Sequence, residues 1–150
     1  MDNALYSTFL SATRDVLKTM LDVNSMKENP GGLQDKEELS ISIQVTGSLT
    51  GEIIYRFPKE TSLNMVKIMS GGMDFEEVDD FVTSAVGEIA NIISGKALIS
   101  LSEQKIVCDI LPPKILSETE DSKSEALDSG IRTQIQSNVG SIEIDIRLCA

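Results

Sequence analysis

Apolar residues recur at spacings of three and four over three parts of the chain, and these parts are predicted to be helices. The first helix covers residues 3–21. A shorter one starts at Lys59 and ends before Gly71 and Gly72, because glycine is a usual signal for the C-terminal end of a helix. The third and longest helix covers roughly residues 75–100. Acidic residues are expected in its first turns, where negative charge favours the helix dipole: Glu76, Glu77, Asp79 and Asp80.

Alternation of apolar and polar residues predicts the strands. Residues 38–58 form a predicted β-hairpin with its turn at GSLTG, and residues 131–148 form a second one that turns near Asn138–Gly140. Residues 105–113 are predicted to be a strand that ends at two prolines. The polar segments 23–38 and 114–130 carry charge without a periodic pattern, so both are predicted to be loops.

This order of elements predicts the fold class. Helices that cover one face of a largely antiparallel β-sheet would satisfy it, which is an α+β two-layer sandwich. At 150 residues the chain is long enough to bury a sizeable core, and we expect a single domain over residues 1–150.

The composition restricts the partners and the chemistry. A formal net charge of −11 argues against nucleic acid or an anionic membrane as a partner, because both are bound by clustered Lys and Arg. Histidine is absent, which excludes Ser-His-Asp catalysis and most zinc sites. Cys108 and Cys149 fit neither a disulfide framework nor a CxxC site. With no secretory signal and no apolar run near the roughly 20 residues that span a bilayer, we expect a cytoplasmic protein without membrane insertion.

The long helix carries an unusual polar face. At about 100° per residue, its apolar face is predicted to contain Val78, Val82, Ala85, Val86, Ile89 and Ile93. The polar face contains Asp80, Ser84, Glu88, Asn91 and Gly95. Gly87 flanks the polar stripe, so both glycines are expected beside or in line with Glu88 and Asn91 and away from the apolar face.

Two interpretations of this stripe compete on pattern alone. A polar stripe on a surface helix is most often a solvated face, and this is the default. Alternatively, the small residues clear space so that the backbone of another macromolecule can approach Glu88 and Asn91 closely, which is a common use of glycine. Each glycine destabilises a helix by roughly 1 kcal/mol relative to alanine. The second interpretation explains why two glycines are nevertheless present in this helix.

The segment DDFVTSAVGEIANIISGKA, residues 79–97, resembles the signature of the CheC, CheX and FliY family of chemotaxis phosphatases. That signature is an Asp or Ser, three residues, Glu, two residues, Asn, and then about twenty-two residues and a Pro. Ser84, Glu88 and Asn91 match it in order and spacing, and Pro113 follows one residue early. On the first helix, where two-site members carry a second copy, the equivalent stretch lacks both Glu and Asn. The chain therefore resembles the single-site CheX type, whose members form homodimers.

The resemblance implies a phosphatase that removes phosphate from the aspartyl phosphate of a CheY-like response regulator. It implies catalytic roles for Asn91, which positions the attacking water, and for Glu88, which pairs with a lysine of the regulator. Contact with the partner is predicted for Ser84, Gly87 and Gly95. Ser84 could equally serve only as a small side chain that does not obstruct the approach of the partner. Mg²⁺ is expected to be held by the regulator and not by this chain. Pro113 is expected to have a structural role.

Two other functions stay open. A non-catalytic module that binds a response regulator or the flagellar switch would use Glu88 and Asn91 as contacts only. A self-contained metal-dependent hydrolase using Asp79, Asp80 and Glu88 is disfavoured, because Asp79 points away from the other two on the helix and no histidine assists.

Overall fold

The computed structural model describes residues 3–23, 26–30, 38–117 and 131–149. Three helices lie in these ranges: α1 (Asn3–Leu21), α2 (Lys59–Met69) and α3 (Asp80–Glu103). Seven strands accompany them: β1 (Met26–Pro30), β2 (Glu38–Gly47), β3 (Thr50–Pro58), β4 (Cys108–Ile110), β5 (Lys114–Ile115), β6 (Ile131–Ser137) and β7 (Gly140–Cys149).

All strand pairs form one antiparallel sheet in the order β1-β6-β7-β3-β2-β4, and β5 also pairs with β2. The two predicted hairpins, β2–β3 and β6–β7, are confirmed and join through the β3–β7 pair. Their register aligns apolar residues across four strands, in the row Ile43, Ile53, Ile146 and Ile131. Because side chains alternate between the faces of a sheet, such rows give it one continuous apolar face.

The helices pack on that apolar face, which confirms the predicted α+β sandwich. On α3, Val82, Val86, Ile89 and Ile93 are fully buried, as the periodicity predicted. By length and composition alone α3 is apolar enough to cross a membrane, contrary to the expectation from the sequence. Half of the most apolar stretch of α3 is buried in this fold, however, where the helix contacts α1, α2 and β2. These contacts are those of the core helix of a globular domain.

The opposite face of the sheet holds a buried ionic network. The Arg56 guanidinium donates to the Glu143 carboxylate and lies 3.6 Å from Asp145, and all three residues are at most 2% exposed. Arg147 and Arg132 also reach the Asp145 carboxylate, at 2.7 and 3.2 Å. Buried charges persist only where they are paired, and here each carboxylate has cationic partners. Alternation along β3 and β7 puts these residues on the face of the sheet away from the helices, and they are nonetheless buried there.

Two predicted loops contain short strands. The segment 23–38 was predicted to be a loop, yet β1 lies within it and pairs with β6. The prediction of a loop over residues 114–130 was also wrong at its start, where β5 pairs with β2. The remainder of this predicted loop, residues 118–130, lies outside the described ranges. Both strands are formed by backbone hydrogen bonds at a sheet edge, so they need no apolar alternation.

The long helix starts later than predicted, at Asp80 instead of near residue 75. The Asp79 carboxylate accepts a hydrogen bond from the Val82 amide at 2.9 Å, which makes Asp79 the N-cap. Glu76 and Glu77 therefore precede the helix instead of lying in its first turns, and of the four acidic residues only Asp80 lies within the first turn.

Candidate functional site

The inner side of α3 is hydrogen-bonded to the centre of the sheet. Tyr55 on β3 and Ser94 on α3 are fully buried, and their hydroxyl oxygens lie 2.8 Å apart. Ser94 uses its only hydroxyl hydrogen to donate to the Ala90 carbonyl at 2.9 Å, so the Tyr55 hydroxyl must be the donor in the pair. Burial raises the pKa of Tyr55 well above its usual value, which keeps this donor protonated. Together with the buried apolar side of α3, this bond sets the rotation of the helix about its axis. The opposite side of the helix, here called the outer face, is thereby directed away from the sheet.

The outer face of α3 presents four of the five residues that the sequence pattern placed together, and the fifth, Asp80, lies in the first turn of the helix. Ser84 and Glu88 are exposed and Asn91 and Gly95 are half-buried. At about 100° and 1.5 Å per residue they span an arc of about 60° and a length of about 16 Å. We call these four residues the ridge.

Glu88 and Asn91 have side chains without partners among the residues that the structure describes. Within the part of the chain that the structure describes, neither side chain makes a hydrogen bond or an ion pair. They are three residues apart on one helix, a spacing that makes their side chains neighbours. The ridge therefore offers an adjacent carboxylate and amide to any molecule that docks there.

The two glycines of α3 differ in their surroundings. A Cβ added to Gly95 would meet no atom within 4 Å, so the ridge is open at this point. Gly87 is buried, and its added Cβ would lie 3.8 Å from Pro113 Cβ and 4.0 Å from Ile41 Cδ1. The expectation that both glycines avoid the packed side of the helix was thus wrong for Gly87. Its predicted partner contact stays a prediction.

Pro113 lies beside the helix that carries the rest of the signature. It lies between β4 and β5, and its Cβ would be 3.8 Å from a Cβ added to Gly87, the residue before Glu88. The proline matched in the sequence pattern is therefore brought against α3 by the fold. This position suits the structural role predicted for it.

Two large apolar side chains on the outer face were missed by the sequence analysis. Phe81 is 59% exposed and Ile99 is 65% exposed. Phe81 lies seven residues before Glu88 and Ile99 lies eleven residues after it. At 100° per residue, each side chain points within about 20° of the direction of Glu88. Phe81 also stacks on Phe75, with ring centroids 5.4 Å apart. The spacings were present in the sequence, but only the structure shows that these side chains are exposed.

The stretch of α1 that corresponds to a second site has a different use. Ser11, Asp15 and Lys18 are exposed, and α1 packs beside α3. The Asp15 carboxylate lies 3.5 Å from the Lys96 amine, so it forms an ion pair with the residue that follows Gly95. Across the described ranges, no group of three or more His, Cys, Asp or Glu side chains is arranged to hold a metal ion.

Comparison with known proteins identifies the family. Residues 39–136, well over half of the chain, match the family model described as chemotaxis phosphatase CheX. The chain belongs to the CheX family. The predicted relationship to CheC, CheX and FliY proteins is thereby confirmed, and the ridge lies inside the matched region.

Individual members of the CheX family agree with this assignment. The CheY-P phosphatase CheX of Thermotoga maritima is 29% identical over 120 residues, covering 78% of this chain and 77% of that protein. A chain in the crystal structure of the CheX–CheY–BeF3–Mg²⁺ complex from Borrelia burgdorferi is 24% identical, with a TM-score of 0.80 and 97% of both chains covered. The chemotaxis protein CheX of Vibrio vulnificus is also 24% identical, with a TM-score of 0.76, and 97% of this chain and 99% of that chain are covered. The two structures show that the fold is shared.

Proposed function

We propose that this protein is a phosphatase that hydrolyses the aspartyl phosphate of a CheY-like response regulator. The observation that carries the proposal is the ridge: Glu88 and Asn91 lie side by side on the outer face of α3, free of partners among the described residues. The Thermotoga relative is a CheY-P phosphatase, which supports the same substrate class for this chain.

Asn91 is proposed to position the attacking water. Its amide oxygen can accept a hydrogen bond from the water and brings no negative charge toward the phosphoryl group. The water oxygen attacks phosphorus, the bond from phosphorus to the aspartyl oxygen breaks, and the products are inorganic phosphate and a free aspartate carboxylate. Such phosphoryl transfer depends mainly on positioning and electrostatics, so it needs no histidine base.

Glu88 is proposed to pair with a lysine in the regulator's active site. A carboxylate next to a phosphoryl group is repelled unless it meets a cation, and the family resemblance implies such a lysine in the regulator. A charge-assisted hydrogen bond would fix the register of the two proteins. Because Asn91 lies three residues from Glu88 on a rigid helix, the same bond would orient the Asn91 amide over the phosphoryl group.

Mg²⁺ belongs to the regulator in this proposal. The ridge presents a single carboxylate, Glu88, and Mg²⁺ requires near-octahedral oxygen ligation that this side chain alone does not supply. When bound, the ion neutralises charge on the phosphoryl oxygens. Ser84 and Gly95 are proposed to contact the regulator's backbone beside the phosphorylated residue. Homodimer formation stays a prediction, which sedimentation equilibrium would test.

The deciding experiment is the decay of a phosphorylated response regulator with Mg²⁺, in the presence and absence of this protein. We expect the wild type to accelerate decay. The Asn91→Ala variant should lose hydrolysis with only a modest loss of binding, while Glu88→Ala should lose both. Glu103→Gln is a suitable control, because Glu103 is an exposed carboxylate in the last turn of the same helix.

The isosteric Asn91→Asp variant separates charge from shape. It keeps the size of the side chain but places a carboxylate where the amide approaches the phosphoryl group, so we expect activity as low as that of Asn91→Ala. Binding of the regulator without faster decay by the wild type would refute the proposed chemistry and favour a docking module. Full activity of Asn91→Ala would refute the role of Asn91.

A further inference from the structure

Phe81 and Ile99 have no role in the chemistry proposed above, yet they are the large apolar side chains of α3 most exposed to solvent. Both lie on the line of Glu88 along the helix, at about 10 Å and about 16 Å from it by helical rise. Exposed apolar side chains scattered singly are common on proteins. Two that flank a polar site on the same helical line form an arrangement that needs an explanation.

The ring of Phe81 is held in its exposed position. It stacks on Phe75, with an angle of 15° between the ring planes, and Phe75 itself packs against the core. Asp79, two residues earlier, caps the helix and fixes its first turn. An aromatic ring that is already oriented loses little conformational freedom on binding, which is the property of an interface anchor.

The size of a protein interface connects these residues to the ridge. A specific interface buries about 800 Å² on each partner, which corresponds to a disc of radius about 16 Å. A partner centred on Glu88 therefore covers Phe81 and reaches Ile99. The ridge offers few polar groups and one small gap at Gly95, whereas affinity at interfaces of this size comes mainly from a few buried aromatic or aliphatic side chains.

We propose that Phe81 and Ile99 are the apolar anchors that bind the response regulator, one on each side of the catalytic pair. This inference rests on the proposed function, because it takes the regulator as the molecule centred on Glu88. The anchors would set the affinity for the regulator, while Glu88 and Asn91 act on the phosphoryl group.

Charge favours the regulator over a second copy of this chain as the occupant. The outer face of α3 near Glu88 and the segment that leads into the helix carry four exposed carboxylates: Glu76, Glu77, Asp80 and Glu88. Lys96, the basic residue of α3, is already paired with Asp15. Two copies placed face to face would bring these carboxylates together, and like charges across an interface are unfavourable. A regulator that presents a lysine to Glu88 meets complementary charge.

The test compares Phe81→Ala and Ile99→Ala with Val107→Ala. Val107 is a matched control, because it is 65% exposed like Ile99 but lies beyond the C-terminal end of α3. The dissociation constant is measured for a regulator activated with Mg²⁺ and beryllium fluoride, and kcat and KM are measured for the phosphorylated regulator. We expect each anchor variant to weaken binding and raise KM about tenfold, with kcat unchanged at saturation. Val107→Ala should behave as the wild type.

The outcomes separate this inference from the proposed function. Wild-type affinity in both anchor variants would overturn the inference even if the protein is an active phosphatase. Weakened binding in the anchor variants would support it even if the wild type failed to hydrolyse the phosphate. An altered sedimentation mass with unchanged regulator affinity would assign the surface to a second copy instead. Ile99→Ala keeps the test valid if loss of the Phe75 stack disturbs the fold of Phe81→Ala, which circular dichroism would reveal.

Discussion

Replacement of Gly95 by alanine should make the protein more stable and less active. Glycine in a helix interior costs roughly 0.8–1.0 kcal/mol relative to alanine. The methyl group added at Gly95 would meet no atom within 4 Å, so nothing in the free protein offsets the gain. We therefore expect Gly95→Ala to raise the free energy of unfolding by about 1 kcal/mol, which for a domain of this size raises Tm by about 2–4 °C.

The same methyl group should obstruct the regulator. If the ridge is bare at Gly95 so that a partner's backbone can lie against it, an added methyl group at the interface acts like overpacking, which costs about 1–3 kcal/mol. Since 1.4 kcal/mol corresponds to a tenfold change, kcat/KM for the phosphorylated regulator should fall by about tenfold. Urea denaturation and the phosphate-release assay on the same preparation measure the two effects.

Gly87→Ala supplies the comparison, since it makes the same change on the packed side of the same helix. Its new methyl group would be in ordinary contact with Pro113 and Ile41, so stability should rise here as well. Loss of activity in this variant would support the predicted partner contact of Gly87, and retained activity would remove it. A Gly95→Ala protein that is less stable, or that is more stable and fully active, would refute the reasoning about the ridge.

Three further predictions concern single side chains. Glu88→Gln should weaken regulator binding and make it less sensitive to salt, because it removes the charge of the proposed ion pair; titrations at two ionic strengths test this. Tyr55→Phe should flatten the alkaline stability profile. The unfolded chain loses the Tyr55 proton near pH 10 while burial keeps it on the folded chain, so the wild type should lose about 1.4 kcal/mol per pH unit above that value. Equal slopes in urea titrations of the two proteins would contradict this. Asp79→Ala should cost about 1 kcal/mol through loss of the N-cap, whereas Glu77→Ala should cost little, as thermal denaturation can show.

Elements with a strong periodic pattern were predictable from sequence, and elements held by the backbone were not. The apolar positions of α1, α2 and α3 and the alternation in the two hairpins come from side chains that must face one core. In contrast, β1 and β5 are defined by hydrogen bonds of the main chain at the edges of the sheet. Burial of Arg56 with Glu143 and Asp145 was equally invisible, because a charged residue on a strand is expected to face solvent.

The candidate site was predictable as far as helix geometry alone determines it. The spacing of Ser84, Glu88 and Asn91 places them on one face of any α-helix. The surroundings of Gly87 depend on Pro113, which lies on a separate segment that no helical pattern can place. Its spacing from Glu88 places Phe81 on the same face, but the stack on Phe75 depends on a segment before the helix, which no helical pattern can place.

The way in which β4 and β5 cover the edge of the sheet has a consequence for solubility. Both short strands pair with β2, and Pro112 and Pro113, which lack backbone donors, lie between them. The amides of Leu111 and Leu116 extend this cover by donating to carbonyl groups of β2. A ten-residue strand that could have recruited a strand from another molecule is thus capped by two short segments with a proline break. Interrupted edges of this kind resist β-aggregation, so we expect this edge of the sheet not to recruit a strand from another molecule, even where salt screens the negative charge of the protein.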